Sequence, residues 1–127
     1  MPIRFVIVGQ PCSKSNSRRL VTHRATGRPM FIKSREALEY EKAALKQIPK
    51  LPAPMLGPVR VSIKIFYASE RPDLDASIVL DVMQEAGIYR NDRQCREIHL
   101  YHAIDRANPR AVIEVEAMQA DMIARVA

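Results

Sequence analysis

Residues 59–67 read VRVSIKIFY. Val59, Val61, Ile63 and Ile65 fall on one side of an extended chain and Arg60, Ser62 and Lys64 on the other, which predicts a β-strand with one buried face. Ahead of it, LPAPMLGP (51–58) is a turn-rich connector. Further upstream, Ser34 is a good helix N-cap, with Glu36 in the first turn. Ala37, Leu38, Tyr40, Ala44, Leu45 and Ile48 then recur at helical spacing until Pro49 stops them. Ile3–Val8, apolar and β-branched, predicts a buried first strand.

Downstream of the decisive strand, apolar positions 78, 79, 82, 83 and 86 predict a second helix, ended by Gly87 as a C-cap. Arg96–Ile104 and Arg110–Glu116 read as two more strands joined by the Asp105–Pro109 turn, and a short amphipathic helix is expected over 118–126. The order β, basic loop, α, β, acidic loop, α, loop, β, β predicts a single α+β domain over residues 1–127. It should have one mixed β-sheet with two main helices packed on it.

Composition narrows the class. Of 127 residues, 47% are apolar and 27% charged, with 4 Gly, as in a soluble globular domain. The longest apolar runs are far too short to span a bilayer or to form a signal peptide, so no membrane partner is expected. Cys12 and Cys95 form no CxxC and have no His cluster nearby, which argues against a disulfide framework or zinc site and for a reducing cytoplasm.

Charge is distributed unevenly. Residues 1–35 hold eight Lys or Arg and no Asp or Glu, whereas the remaining 92 hold twelve against fourteen. A net +8 confined to the first quarter of the chain predicts a polyanionic partner, nucleic acid above all. The polar stretch 10–33 is too long for a connector and is expected to be functional. Leu20–Thr22 and Met30–Ile32 can pair as a ribbon around Thr26-Gly27. Lys14, Asn16, Arg18, Arg19, Arg24 and Arg28, with Arg71 further on, are the candidate DNA contacts, and Ser13, Ser15 and Ser17 can donate to phosphate oxygens. Phe31 and Tyr89 are the aromatics placed to stack on bases if exposed, although core packing is the expected role of Phe31. His23, His99 and His102 do not cluster and are expected to be structural or to touch phosphate.

The acidic residues stand apart from this. RPDLD (71–75) follows the alternating strand, and NDRQ (91–94) follows the second helix. In an extended segment Asp73 and Asp75 project to the same side, and Asp92 can return to them along the helix. Carboxylates gathered in this way repel unless a cation lies between them, and a hard divalent ion such as Mg²⁺ takes oxygen ligands of this kind. Each aspartate alone also has an ordinary reading: Asp73 capping a turn, Asp75 capping the second helix, Asp92 opening a turn.

RPDLD followed by LDVMQEAGIYRNDRQ resembles the signature of the RusA family of Holliday-junction resolvases. That signature has a DLD pair, a helix with a leucine- or phenylalanine-aspartate pair, a glycine and an aspartate–glutamine turn. The basic Pro/Ser/Asn-rich loop, the helix-starting Ser34 and Tyr40 are similar as well, so the likeness spans about residues 9–98. It implies a homodimeric endonuclease, dependent on Mg²⁺ (or Mn²⁺), that resolves four-way DNA junctions by paired symmetric nicks in recombination and repair, in a bacterial cytoplasm and by family habit of phage or prophage origin. Asp73, Asp75 and Asp92 would be its catalytic, metal-binding carboxylates. The chain departs from the pattern where the family has an asparagine and a lysine, here Ala76 and Val79, and where an aspartate precedes the last carboxylate, here Asn91. Lys33, or else Lys14, is the candidate to supply the missing cation, and Asp81 is a candidate fourth ligand. A catalytically inactive nucleic-acid-binding protein on the same fold and a branch- or flap-directed nuclease are the competing expectations.

Overall fold

The structure is a computed structural model that describes residues 2–119. Six strands and two helices follow one another as β1 (Ile3–Val8), β2 (Arg18–Thr22), β3 (Pro29–Lys33), α1 (Arg35–Leu45), β4 (Val59–Tyr67), α2 (Ser77–Glu85), β5 (Cys95–Ile104) and β6 (Arg110–Ala117). Four strands form one mixed sheet in the order β1-β6-β4-β5, with β4 and β5 parallel and the other pairs antiparallel. β2 and β3 form a separate two-stranded ribbon. The fold is the expected α+β arrangement, with both helices on one face of the sheet.

β4 holds the sheet together. Val59, Val61, Ile63, Ile65 and Tyr67 are buried, as the alternation requires, and join Ile7, Ala111, Ile113 and Val115 beneath the helices. α1 contributes Ala37, Tyr40 and Ala44, and α2 contributes Ile78, Val79, Val82 and Met83. The opposite face of the sheet is ionic. There Arg60 pairs with Glu97 and Glu116, Arg4 with Glu114 at 2.6 Å, and the Arg110 guanidinium lies 3.9 Å from the Phe66 ring centroid.

The caps are those foreseen. Ser34 accepts a hydrogen bond from the Ala37 N–H at 3.2 Å and donates its own hydroxyl to Asn16 O at 2.7 Å, so the residue that starts α1 also ties down the basic loop. Gly87, at φ +82°, closes α2: its N–H bonds to Gln84 O while Ile88 N–H reaches back to Met83 O, the paired bonds of a left-handed helix terminus.

β5 and β6 are consecutive but do not pair, because β4 runs between them. The Asp105–Pro109 segment therefore crosses the end of β4, where the Asp105 N–H bonds to Tyr67 O at 2.8 Å. The helix periodicity that reached Ile48 ends at Leu45, the next turn being non-helical before Pro49. Of the short helix expected over 118–126, Met118 and Gln119 are not helical, and the rest lies outside the described residues.

Candidate nuclease site

Two clefts adjoin where the basic loop crosses the end of β4. The first, about 380 Å³, is lined by cations and acids together: Lys14, Arg18 and Lys33 with Glu41, Asp81 and Asp92. The second, about 370 Å³, takes Asp73 and Arg71 from the acidic loop and Ser13, Ser15 and Asn16 from the basic one. Asp75 lines neither cleft but bonds to two residues that line the first, Lys14 and Ser77. Its Oδ2 accepts the Lys14 backbone N–H at 2.7 Å, and its Oδ1 accepts the Ser77 N–H at 2.9 Å and the Ser77 hydroxyl at 2.6 Å. Asp75 thus does the capping work at the start of α2 and also receives the turn at Lys14–Asn16.

The loop bearing Asp73 and Asp75 is braced from beneath. The Tyr67 hydroxyl donates to Asp73 O and accepts from Asp75 N–H, each at 3.1 Å. His102 Nε2 donates to Pro72 O at 3.0 Å, and its ring lies against Tyr67 with centroids 4.7 Å apart. His102 thereby takes a structural role, one of the two expected of it. Asp92 is fixed from two sides. Its N–H donates to Gln84 Oε1 of α2 at 2.8 Å. Gln94 uses its whole amide: Oε1 accepts from Arg90 and Asn91 N–H, and Nε2 donates to Met55 O and Gly57 O. Asn91 accepts the Arg93 N–H at 2.9 Å, a cap that asparagine makes as well as the family's aspartate would.

Electrostatics single out the first cleft. Burial pushes the Asp81 carboxyl up and the nearby Asp92 charge pushes it further, against the opposing pull of Lys33. Partial burial would raise Asp75 too, but the Ser77 and Lys14 hydrogen bonds and the Lys14 charge outweigh it, and Asp75 lies below its ordinary value. Lys33 is raised, first by its hydrogen bond to Glu41 at 3.0 Å.

The structure therefore sorts the predicted residues. Lys14, Arg18 and Lys33 meet Asp81 and Asp92 in one cleft, Asp75 bonds to Lys14 and Ser77 of its wall, and Asp73, Arg71 and Asn16 share the adjoining cleft. Asp73 lines the second cleft, whereas Asp75 lines neither, its carboxylate being turned to the Lys14 N–H and to Ser77. Among the described residues no three His, Cys, Asp or Glu side chains stand close enough to hold one metal ion. Arg19, Arg24 and Arg28 are exposed on the ribbon.

The two aromatics exchange their expected roles. Phe31 is 69% exposed, because β2 and β3 stand away from the sheet and offer it no core, whereas Tyr89 is fully buried and donates to Leu80 O at 2.7 Å. Tyr67, Ser77 and Glu41 were not foreseen. Glu41 had a signal: it lies one turn past Ala37, where an acid interrupts the apolar stripe of α1. Tyr67 had none beyond its parity, which speaks of burial and not of where its hydroxyl goes.

No curated protein matches the chain. The family model for endodeoxyribonuclease RusA matches residues 9–116, from the start of the basic loop through nearly all of β6. With a basic loop, two acidic turns and a Gln-pinned aspartate all inside that span, the chain belongs to the RusA endodeoxyribonuclease family.

Proposed function

We propose that this protein is a Mg²⁺-dependent endonuclease, with Mn²⁺ as an alternative ion, that resolves four-way DNA junctions by paired symmetric nicks as a homodimer. The family acts on Holliday junctions as an endonuclease. The observation that carries the finer reading is the first cleft, where Asp81 and Asp92 share the walls with Lys14, Arg18 and Lys33. Acids that repel across a cleft suit a divalent cation, and cations on its walls suit a phosphodiester.

The donors fit Mg²⁺ in kind. All are carboxylates, and Asp75 Oδ2 accepts one hydrogen bond, leaving a lone pair free. Asp73, Asp75 and Asp92 would hold the ion, with Asp81 as the nearest reserve. As they stand, no three acids among the described residues are close enough to share one ion, so binding would have to draw them together. Bound there, Mg²⁺ would supply a water of lowered pKa and polarise the phosphoryl oxygen.

The remaining work belongs to the chain. Lys14 and Arg18 bind phosphate at the cleft wall, and Tyr67 keeps the acidic loop from drifting. Lys33, held by Glu41, offers the positive charge that the family draws from the position of Val79, and stabilises charge as it develops on the phosphoryl oxygens. Symmetric cutting of a two-fold substrate calls for two such sites related by a two-fold axis.

The test is cleavage of a labelled four-way junction with Mg²⁺ or EDTA by wild type, Asp75→Asn and Lys33→Ala. Paired nicks that vanish with EDTA and with Asp75→Asn are expected, and Lys33→Ala should slow cutting about 100- to 1,000-fold, the scale for one preorganised charge-stabilising donor. Tight junction binding without cutting under any divalent ion would refute the nuclease reading and leave a binding protein on this fold.

A further inference from the structure

The ribbon carries an apolar pair that the described residues leave uncovered. Leu20 and Phe31 face each other across β2 and β3 and are 61% and 69% exposed. In an antiparallel ribbon, opposed residues lie on the same face, and so do residues two apart. Arg18 and Lys33 form the opposed pair two residues nearer the base, so they share that face with Leu20 and Phe31, and both line the first cleft. An exposed leucine–phenylalanine step thus stands about 7 Å along the strand from two cations of the cleft.

Its surroundings decide what it meets. Residues 1–35 contain eight basic side chains and no acidic one, so the partner of this face is a polyanion that also presents apolar surface. A nucleobase turned out of its stack, on the same strand as a phosphate held by Arg18 and Lys33, satisfies both conditions. We infer that Leu20 and Phe31 form a stacking platform for one unpaired base beside the phosphodiester in the first cleft. This deepens the proposed function: the platform rewards DNA whose bases come apart at little cost, as at a branch point, over intact duplex. Phe31 acts here as a specificity residue, touching a base and no reacting atom.

The experiment uses the full chain in EDTA with a four-way junction carrying 2-aminopurine at the branch and fluorescein on one arm. Wild type is expected to bind, read by anisotropy, and to raise 2-aminopurine emission as the base leaves its stack. Phe31→Ala should weaken junction binding about 5- to 100-fold, leave duplex affinity unchanged, and give no rise in emission at saturating protein, while Phe31→Trp should restore the rise. An equal rise with Phe31→Ala, or binding by wild type with no rise, would overturn the platform and leave the nuclease reading standing. Failure of wild type to bind the junction would overturn both.

Discussion

Between Ser13 and Glu36 no residue is buried, whereas five of the nine residues of β4 are. The first region holds most of the excess positive charge, and its ribbon is tied to the rest chiefly by polar contacts, such as Ser34 N–H to Ser17 O at 2.9 Å. The second packs as a continuous apolar layer and, at its end, turns a tyrosine hydroxyl toward the acidic loop. Attraction of DNA tolerates freedom because phosphate charge acts over several ångströms. The acidic loop needs a fixed backbone, and it follows directly on the element with the deepest burial. The difference teaches where substitutions should be felt as reduced stability and where as reduced affinity alone.

The sharpest way to break this division is Ile63→Ala in β4. Ile63 is fully buried, and a cavity there should cost about 2–5 kcal/mol and lower the Tm by about 10 °C or more, read by calorimetry or circular dichroism. A destabilisation below about 1 kcal/mol would mean that β4 is not the centre of the core. Tyr67→Phe comes next. It keeps the ring but removes the acceptor for Asp75 N–H, at about 1–2 kcal/mol, and should reduce cleavage while leaving junction affinity intact. Equal reductions in cutting and binding would show that the brace serves the fold alone. The smallest effect on stability belongs to the pair Arg24→Ala and Arg28→Ala, within about 0.5 kcal/mol of wild type. Its effect should appear in DNA binding, where the slope of log K against log salt becomes shallower by about 0.9 for each phosphate no longer neutralised. An unchanged slope would place these arginines off the DNA path.

How much was legible follows from the range over which each signal acts. The alternation of β4, the Ser34 cap, the Gly87 terminus and the Thr26-Gly27 ribbon are local, and the structure has them where the sequence puts them. The insertion of β4 between β5 and β6 is not local, and two strands joined by a short turn read as neighbours whether or not they pair. Phe31 and Tyr89 failed for a related reason: both sit in apolar surroundings in the sequence, and only the layout of the layers says which one finds a core. At the site, the residue types and the nearness of the basic loop to the acidic one were legible. The parting of Asp73 from Asp75 was not, because it depends on the Asp75 carboxylate meeting the Lys14 N–H, 61 positions away in the chain.

The pairing of β1 with β6 sets the order in which the molecule can be completed. Ile3 lies opposite Val115, so the first of the described strands finds its sheet neighbour among the last residues of the matched region. Until β6 emerges, Phe5 and Ile7 have no ladder to join, and β4 can offer only its β5 edge for pairing. A chain built in this way closes late, through its longest-range strand pairing, and its folding rate is governed by that search more than by the quick local formation of its helices.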